Sequence, residues 1–164
     1  MAAPRNRRAR LPAEPASSAG IRLLNGGCTG LAQEARQRLV NGATSYFGAH
    51  YGEPIRIASV ASRLGVSEGC LDLCFDLCRG RTPWETLQQL RLSRLFEAIS
   101  EQPGQGIESH VQRCGLLTVT EANQAFQRAF GIDLGSFRHS CRRAAADRRF
   151  RRSHPDAADL VLPE

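Results

Sequence analysis

No lysine occurs in the 164 residues, so all 22 basic side chains are arginine; with 16 acidic residues the formal net charge is +6. An all-arginine basic set suits phosphate, which a planar guanidinium grips with two parallel hydrogen bonds. Long apolar runs are also missing. Leu11 to Gly20 holds two prolines, a glutamate and two serines, where a secretory signal needs about 7 or more apolar residues, and the longest runs elsewhere are too short to span a bilayer. Neither a secreted protein nor a membrane protein is expected. There is no phosphate-binding glycine loop, no Gly-x-Ser-x-Gly, no His-Glu-x-x-His and no dinucleotide fingerprint, so an enzyme reading has no anchor and neither catalytic residue nor cofactor is expected. His50, His110, His139 and His154 fall at no ligand or catalytic spacing. What is present, 41% apolar and 23% charged residues, is the composition of an ordinary globular domain.

The basic charge is unevenly placed. Residues 1–32 carry five arginines and one glutamate, residues 142–164 carry six arginines and four acids, and residues 33–141 carry eleven of each. A neutral domain between two basic tails follows: an Arg/Pro/Gly-rich segment over 1–30, expected to be disordered, a folded unit over 31–141, and an Arg-rich tail over 142–164.

Within the folded unit no stretch alternates as a strand does, and helical periodicity recurs. Leu31, Ala35, Leu39, Ala43 and Phe47 line one face of a first helix. Ile57, Val60, Ala61 and Leu64 line a second that stops at Gly65, and Ser67 caps a third with Leu71, Cys74, Phe75 and Cys78 inward and Gly80 at its end. Thr82-Pro83-Trp84-Glu85 is a capping box with proline at the first helical position. It opens a long helix over about 83–100 whose apolar residues, Leu87, Leu90, Leu92, Leu95, Phe96 and Ile99, form too broad a set for one packing surface. After Pro103-Gly104-Gln105-Gly106 the pattern returns. Ile107, Val111 and Cys114 precede Gly115, Thr118-Val119-Thr120-Glu121 offers a second capping box, and Ala122, Ala125, Phe126, Ala129 and Phe130 face inward before Gly131. Gly65 and Gly115 are 50 residues apart, as are Val66 and Leu116, which marks an internal repeat of a two-helix unit. The expected fold is all-α, homeodomain-like, with about seven helices: two helix-turn-helix subdomains, about 31–81 and 101–141, joined by the long helix.

Val60-Ala61, Leu64-Gly65, Ser67, Leu71, Phe75, Gly80 and Pro83, then Arg91-Leu92, Ile107, Val111, Gly115, Ala125-Phe126, Phe130-Gly131 and Arg138 occur in an order and spacing that resembles the DNA-binding domain of the AraC/XylS family of bacterial transcription regulators. With the leading helix the resemblance covers about residues 33–140. It implies a cytoplasmic regulator whose two reading helices enter successive major grooves on one face of duplex DNA, with RNA polymerase or another protein as a further class of partner. Gln112, Leu116, Leu134 and Leu95 depart from the family pattern at core or turn positions, and a looser packing is expected there. Thirty residues ahead of the first helix are too few for an effector-binding β-domain, so none is expected in this chain.

A reading helix is judged by its outward side chains. In the second unit these are Thr118, Thr120, Asn123, Gln124, Gln127 and Arg128. Asn and Gln can pair with adenine through two hydrogen bonds, Thr can touch a thymine methyl, and Arg can reach guanine or phosphate. The resemblance places the second reading helix's DNA contacts at 120, 123, 124 and 127. In the first unit Glu68, Gly69, Asp72, Leu73, Asp76 and Leu77 face outward, and carboxylates oppose the electrostatic term that dominates DNA affinity. The second unit is therefore expected to dominate recognition. A second reading stands beside this one: a degenerate module of the same fold that contacts protein through Leu73, Leu77 and the acidic face, or nucleic acid only through its Arg tails. Cys70, Cys74 and Cys78 share a helical stripe beside Leu71 and Phe75, where burial in the core is favoured over a metal site, since zinc ligands normally pair across a turn.

Overall fold

The computed structural model describes residues 30–153. Except for Gly30, the segment expected as a tail over 1–30 lies outside them, as does the chain beyond Ser153. The described residues form seven helices and no strand, in the order α1 (Gln33–His50), α2 (Ile57–Arg63), α3 (Glu68–Arg79), α4 (Pro83–Glu101), α5 (Ile107–Arg113), α6 (Val119–Phe130) and α7 (Leu134–Ser153).

Local chemistry sets the boundaries. The Ser67 hydroxyl accepts from the amide of Cys70, and the Thr82 hydroxyl accepts from the Glu85 amide while the Glu85 carboxylate accepts from the Thr82 amide. Gly80 and Gly131 end α3 and α6 in the left-handed conformation. The second expected capping box is only half formed: Thr118 accepts from the Glu121 amide, whereas Glu121 itself borders a cleft beside α4.

The repeat is visible in the backbone. In the α2–α3 turn the Val66 amide donates to the Ala61 carbonyl, and in the α5–α6 turn the Leu116 amide donates to that of Val111, both at 3.1 Å. Both turns pass through a left-handed glycine, Gly65 and Gly115. Beyond that point the copies diverge by one residue, because Ser67 caps α3 and Thr118 caps α6. The extra residue is Leu117, 90% exposed.

Two cores result, and α4 supplies both. Val40, Ala43 and Phe47 of α1 pack with Val60, Ala61, Leu71, Cys74, Phe75 and, from α4, Leu87. Further along α4, Leu92, Leu95 and Ile99 pack with Val111, Cys114, Ala122, Phe126 and Leu134. This is why the apolar set of α4 is broader than one stripe. Leu95 and Leu134, expected to loosen the fold, are 0% and 1% exposed, so both fill the second core. Ala129 and Phe130, expected inward, are exposed. Phe130 instead meets the Phe96 ring, 5.1 Å between centroids, at the edge of a cluster with Phe126 and Phe137.

Cys70 and Cys74 are buried and Cys78 half-buried. Burial pushes the thiols of Cys74 and Cys114 up, which favours the protonated form over the thiolate a metal or oxidant would need. Among the described residues no cluster of His, Cys, Asp and Glu could hold a metal, and no helix is long and apolar enough to cross a membrane.

Two polar side chains are buried in the helical framework. His110, 0% exposed, donates from Nε2 to the Gln102 carbonyl at 3.1 Å, closing the end of α4 over α5, while its Nδ1 has no partner. Arg91, 5% exposed, donates from Nε to the Tyr51 carbonyl at 2.9 Å and from a terminal nitrogen to the Glu53 carbonyl at 2.8 Å. It thus ties α4 to the loop after α1. A Cβ on Gly115, whose φ is +71°, would stand 2.5 Å from the Tyr51 oxygen and 3.1 Å from the Arg91 guanidinium, and one on Gly52 would stand 2.6 Å from the Arg113 oxygen. The subdomains therefore meet backbone to backbone at this joint, with Arg91 beneath it.

Arg91→Met should lower the unfolding free energy by about 1–3 kcal/mol, because apolar substitution abandons carbonyls that the guanidinium satisfies. Denaturant unfolding would read this as a drop in midpoint, and an unchanged midpoint would show that the joint is held by other contacts.

Candidate nucleic-acid interface

The exposed side of α6 carries the outward residues identified in the sequence. Thr120, Gln124, Gln127 and Arg128 are all exposed, and with about one helical turn separating each from the next, Thr120, Gln124 and Gln127 share a face. Donors and acceptors stand there, and on the adjoining flank Arg128 and the exposed Glu121 both border the cleft beside α4. The Arg128 Nε donates to the Gln124 carbonyl at 3.2 Å, which lays the guanidinium stem along the helix. Arg128 also reaches the rim of an open, mostly apolar cleft of about 990 Å³ between α6 and the start of α4, where Trp84 and Leu117 are half and nine-tenths exposed.

Two of the expected residues already have structural partners. The Thr118 hydroxyl is the N-cap acceptor of α6, 3.2 Å from the Glu121 amide. Asn123 is half-buried, and its Oδ1 accepts from the Leu134 amide at 2.8 Å. That amide is the first of α7 and has no partner within its own helix. Asn123 thus spends its acceptor on joining α6 to α7, and only its amino group is left to face outward. Sequence reasoning missed this because the partner lies 11 residues away across a turn, where no periodicity points.

The matching surface of α3 has the opposite character. Glu68, Asp72 and Asp76 are exposed at successive turns, Leu73 is half-buried and Leu77 is 56% exposed. Arg79 at the end of α3 is the only cation on that helix.

The folded unit is expected from its sequence to end at Cys141, but α7 continues through Ser153. The apolar anchors stop early, with Leu134 buried and Phe137 and Cys141 half-buried, while the arginines beyond are exposed. Helical propensity explains the continuation: Ala144, Ala145, Ala146 and the arginines are strong helix formers with no glycine or proline among them. The start of α7 is fixed by Asp133, whose carboxylate accepts from the Ser136 amide at 2.9 Å, and by Arg138, whose Nε donates to the Pro103 carbonyl at 3.0 Å. Hydrogen bonds from Ser136 hold the Asp133 carboxyl below the ordinary aspartate range.

No family model matches the chain. It is 28% identical over 96 residues, 57% of its own length, to the "Probable thc operon regulatory protein" of Rhodococcus erythropolis; the match spans 29% of that protein. Among solved structures it superposes on an AraC-type DNA-binding domain-containing regulator from Chromobacterium violaceum with a TM-score of 0.60 at 23% identity, covering 66% of this chain and 96% of that one. The C-terminal domain of AraT, a response regulator from Geobacillus stearothermophilus, gives 0.58 at 23% identity over 62% of this chain and 84% of that domain. A probable AraC family transcriptional regulator from Rhodopseudomonas palustris gives 0.60 at 18% identity over 63% of this chain and 97% of that one. The fold is that of the AraC-type DNA-binding domains.

Asn123→Ala should cost about 1 kcal/mol of stability, the usual scale for losing a cap on a helix amide, and Asn123→Asp, which keeps the acceptor, should restore most of it; equal losses in both variants would show that the Leu134 bond contributes little. The Asp133 shift has a pH consequence. A carboxyl whose folded pKa is depressed stabilises the fold above its unfolded pKa, and that contribution fades as pH falls from the ordinary aspartate range through the lower folded value. Acid titration of unfolding should therefore be shallower for Asp133→Asn than for the parent chain below about pH 4, and identical slopes would remove Asp133 from the account.

Proposed function

We propose that this chain is a sequence-specific, non-enzymatic DNA-binding transcription regulator, acting in the bacterial cytoplasm, that reads the major groove mainly through its second helix-turn-helix. The observation that carries this reading is the contrast between the two candidate reading helices. α6 exposes Thr120, Gln124, Gln127 and Arg128 with one carboxylate, Glu121, whereas α3 exposes three carboxylates, Glu68, Asp72 and Asp76, against the single cation Arg79. The fold shared with AraC-type DNA-binding domains and the similarity to an operon regulatory protein support it.

A helix serves in the major groove when its outward side chains present a donor and acceptor pattern that meets base edges. Gln124 and Gln127 have both a carbonyl and an amino group uncommitted, so each can meet adenine with two hydrogen bonds. Asn123 is less suited to this, since its oxygen is turned toward the Leu134 amide. Arg128 supplies a guanine or phosphate contact, and Thr120 a methyl and a hydroxyl. The acidic α3 contributes little affinity, and its exposed Leu77 suits that helix to a protein partner such as RNA polymerase instead.

Selection from random duplexes should enrich a discrete site. Gln124→Ala should then relax preference at one position of that site by about 1–3 kcal/mol while leaving binding to scrambled duplex unchanged. Salt-sensitive binding with no enriched site, or an enriched site that survives Gln124→Ala and Gln127→Ala yet disappears with Asp72→Ala, would overturn the assignment of α6 as the reading helix.

A further inference from the structure

The C-terminal half of α7 carries no buried residue. Over residues 142–153 it carries six arginines against one aspartate, and all six, Arg142, Arg143, Arg148, Arg149, Arg151 and Arg152, are exposed. Among the described residues no carboxylate lies within ion-pair distance of any of them, Asp147 included. Five of the arginines form connected ridges: Arg142, Arg149 and Arg152 continue the line of Arg138, and Arg148 lies alongside, one turn from both Arg151 and Arg152, while Arg143 stands on another side of the helix. Like charges three and four residues apart destabilise an isolated helix, so a polyanion that neutralises them favours the helix as well as the contact. Twelve residues extend about 18 Å, the rise of about five base-pair steps. The direction of this arm is not left free, since the start of α7 is bonded to Asn123 on α6 and, through Arg138, to the α4–α5 turn.

From these features we propose that the arginine ridge of α7 is a second DNA contact, a sequence-independent clamp on backbone phosphates beside the site read by α6. It rests on the reading of the chain as a DNA-binding protein and deepens it. The requirement is electrostatic: residues 33–141 are neutral, and neutralisation of phosphates supplies much of the affinity of proteins for duplex DNA. A neutral reading domain needs cations placed next to it, and α7 holds six in a fixed relation to the reading helix.

The test compares the full chain with its R148Q/R149Q/R151Q/R152Q variant on two labelled duplexes, the selected site with flanks on both sides and a scrambled control. Glutamine keeps helical propensity, and an unchanged circular dichroism spectrum and melting curve establish that the variant is folded. The slope of log affinity against log salt should become shallower by about 0.9 for each phosphate that is no longer neutralised, roughly 2 to 4 in all, with affinity falling by the same factor of about tenfold or more on both duplexes. Hydroxyl-radical protection should vanish from one flank while the core footprint stays. An unchanged slope and affinity would overturn the proposal, as would weaker binding with both flanks still protected, which is the mark of general charge. Arm-dependent binding confined to anionic vesicles or single-stranded RNA would overturn it too. Failure of the arm is distinguishable from failure of the reading helix. An enriched site that depends on Gln124 in a protein indifferent to the arm rejects the clamp alone. Arm-dependent duplex binding with no enriched site rejects the α6 reading alone.

Discussion

Two small helical units share one helix, α4, and a single buried cation in its middle ties the first unit's loop to the joint between them. Arg91 sits in mid-α4 with no carboxylate partner, and burial lowers its pKa from the ordinary value. Desolvating a guanidinium is costly unless its donors are used, and here they are used on the Tyr51 and Glu53 carbonyls. Those two carbonyls belong to the irregular loop after α1, which has no ladder or helix of its own to satisfy them. The same loop lies against the turn at Gly115, so closely that neither Gly52 nor Gly115 leaves room for a Cβ. One side chain therefore stabilises a loop of the first unit, seats the central turn of the second against it, and belongs to the helix that feeds both cores. The relative placement of α3 and α6 rests on this joint and on α4, against which both helices pack.

Local signals were legible in the sequence wherever the chemistry is local. Ser67, the Thr82 and Glu85 pair, and the left-handed glycines at 65, 80, 115 and 131 mark boundaries that the structure keeps. The double role of α4 was legible as well, because a helix serving two cores needs apolar residues on more than one side. What could not be read involves partners distant in the chain. Arg91 has the look of a surface charge on a helix, and only the loop 38 to 40 residues earlier gives it a reason to be buried. His110 stands at no telling spacing because its partner is the carbonyl that ends another helix. The continuation of α7 past Cys141 is hidden for a different reason. Hydrophobic periodicity reports burial, and α7 beyond Cys141 is helical without being buried.

Of the residues expected to read DNA, four are simply exposed on α6, and their placement followed from the inward face alone. Thr118 and Asn123 show why polarity is an ambiguous signal at helix ends and turns. Ser, Thr, Asn and Asp are favoured there for their bonds to backbone amides, and the same atoms would be wanted by a base edge. A residue that caps cannot offer the same lone pair outward without a cost to the fold. The division within α6 follows largely from length. Glutamine and arginine reach beyond the helix surface, while the shorter asparagine and threonine lie within range of the main chain.

The polar residues of α6 are thereby bound into the domain in different ways, and this bears on how a recognition surface can vary. At the N-terminal end, Thr118 satisfies an amide of the helix itself. Just over one turn further on, Asn123 reaches forward to the next helix and accepts from its first amide. Beside them, Thr120, Gln124 and Gln127 make no side-chain bond within the described residues, so their identity is free of any structural obligation. A change of sequence preference could be accommodated at those three positions without disturbing a cap, a core or the joint at Arg91. A change at Asn123 would remove one of the bonds that, with those of Asp133 and Arg138, hold the start of the helix that carries the arginines. The residues that specify a site and those that hold the frame are neighbours on one helix, and the separation between them is drawn by which polar atoms the backbone has already claimed.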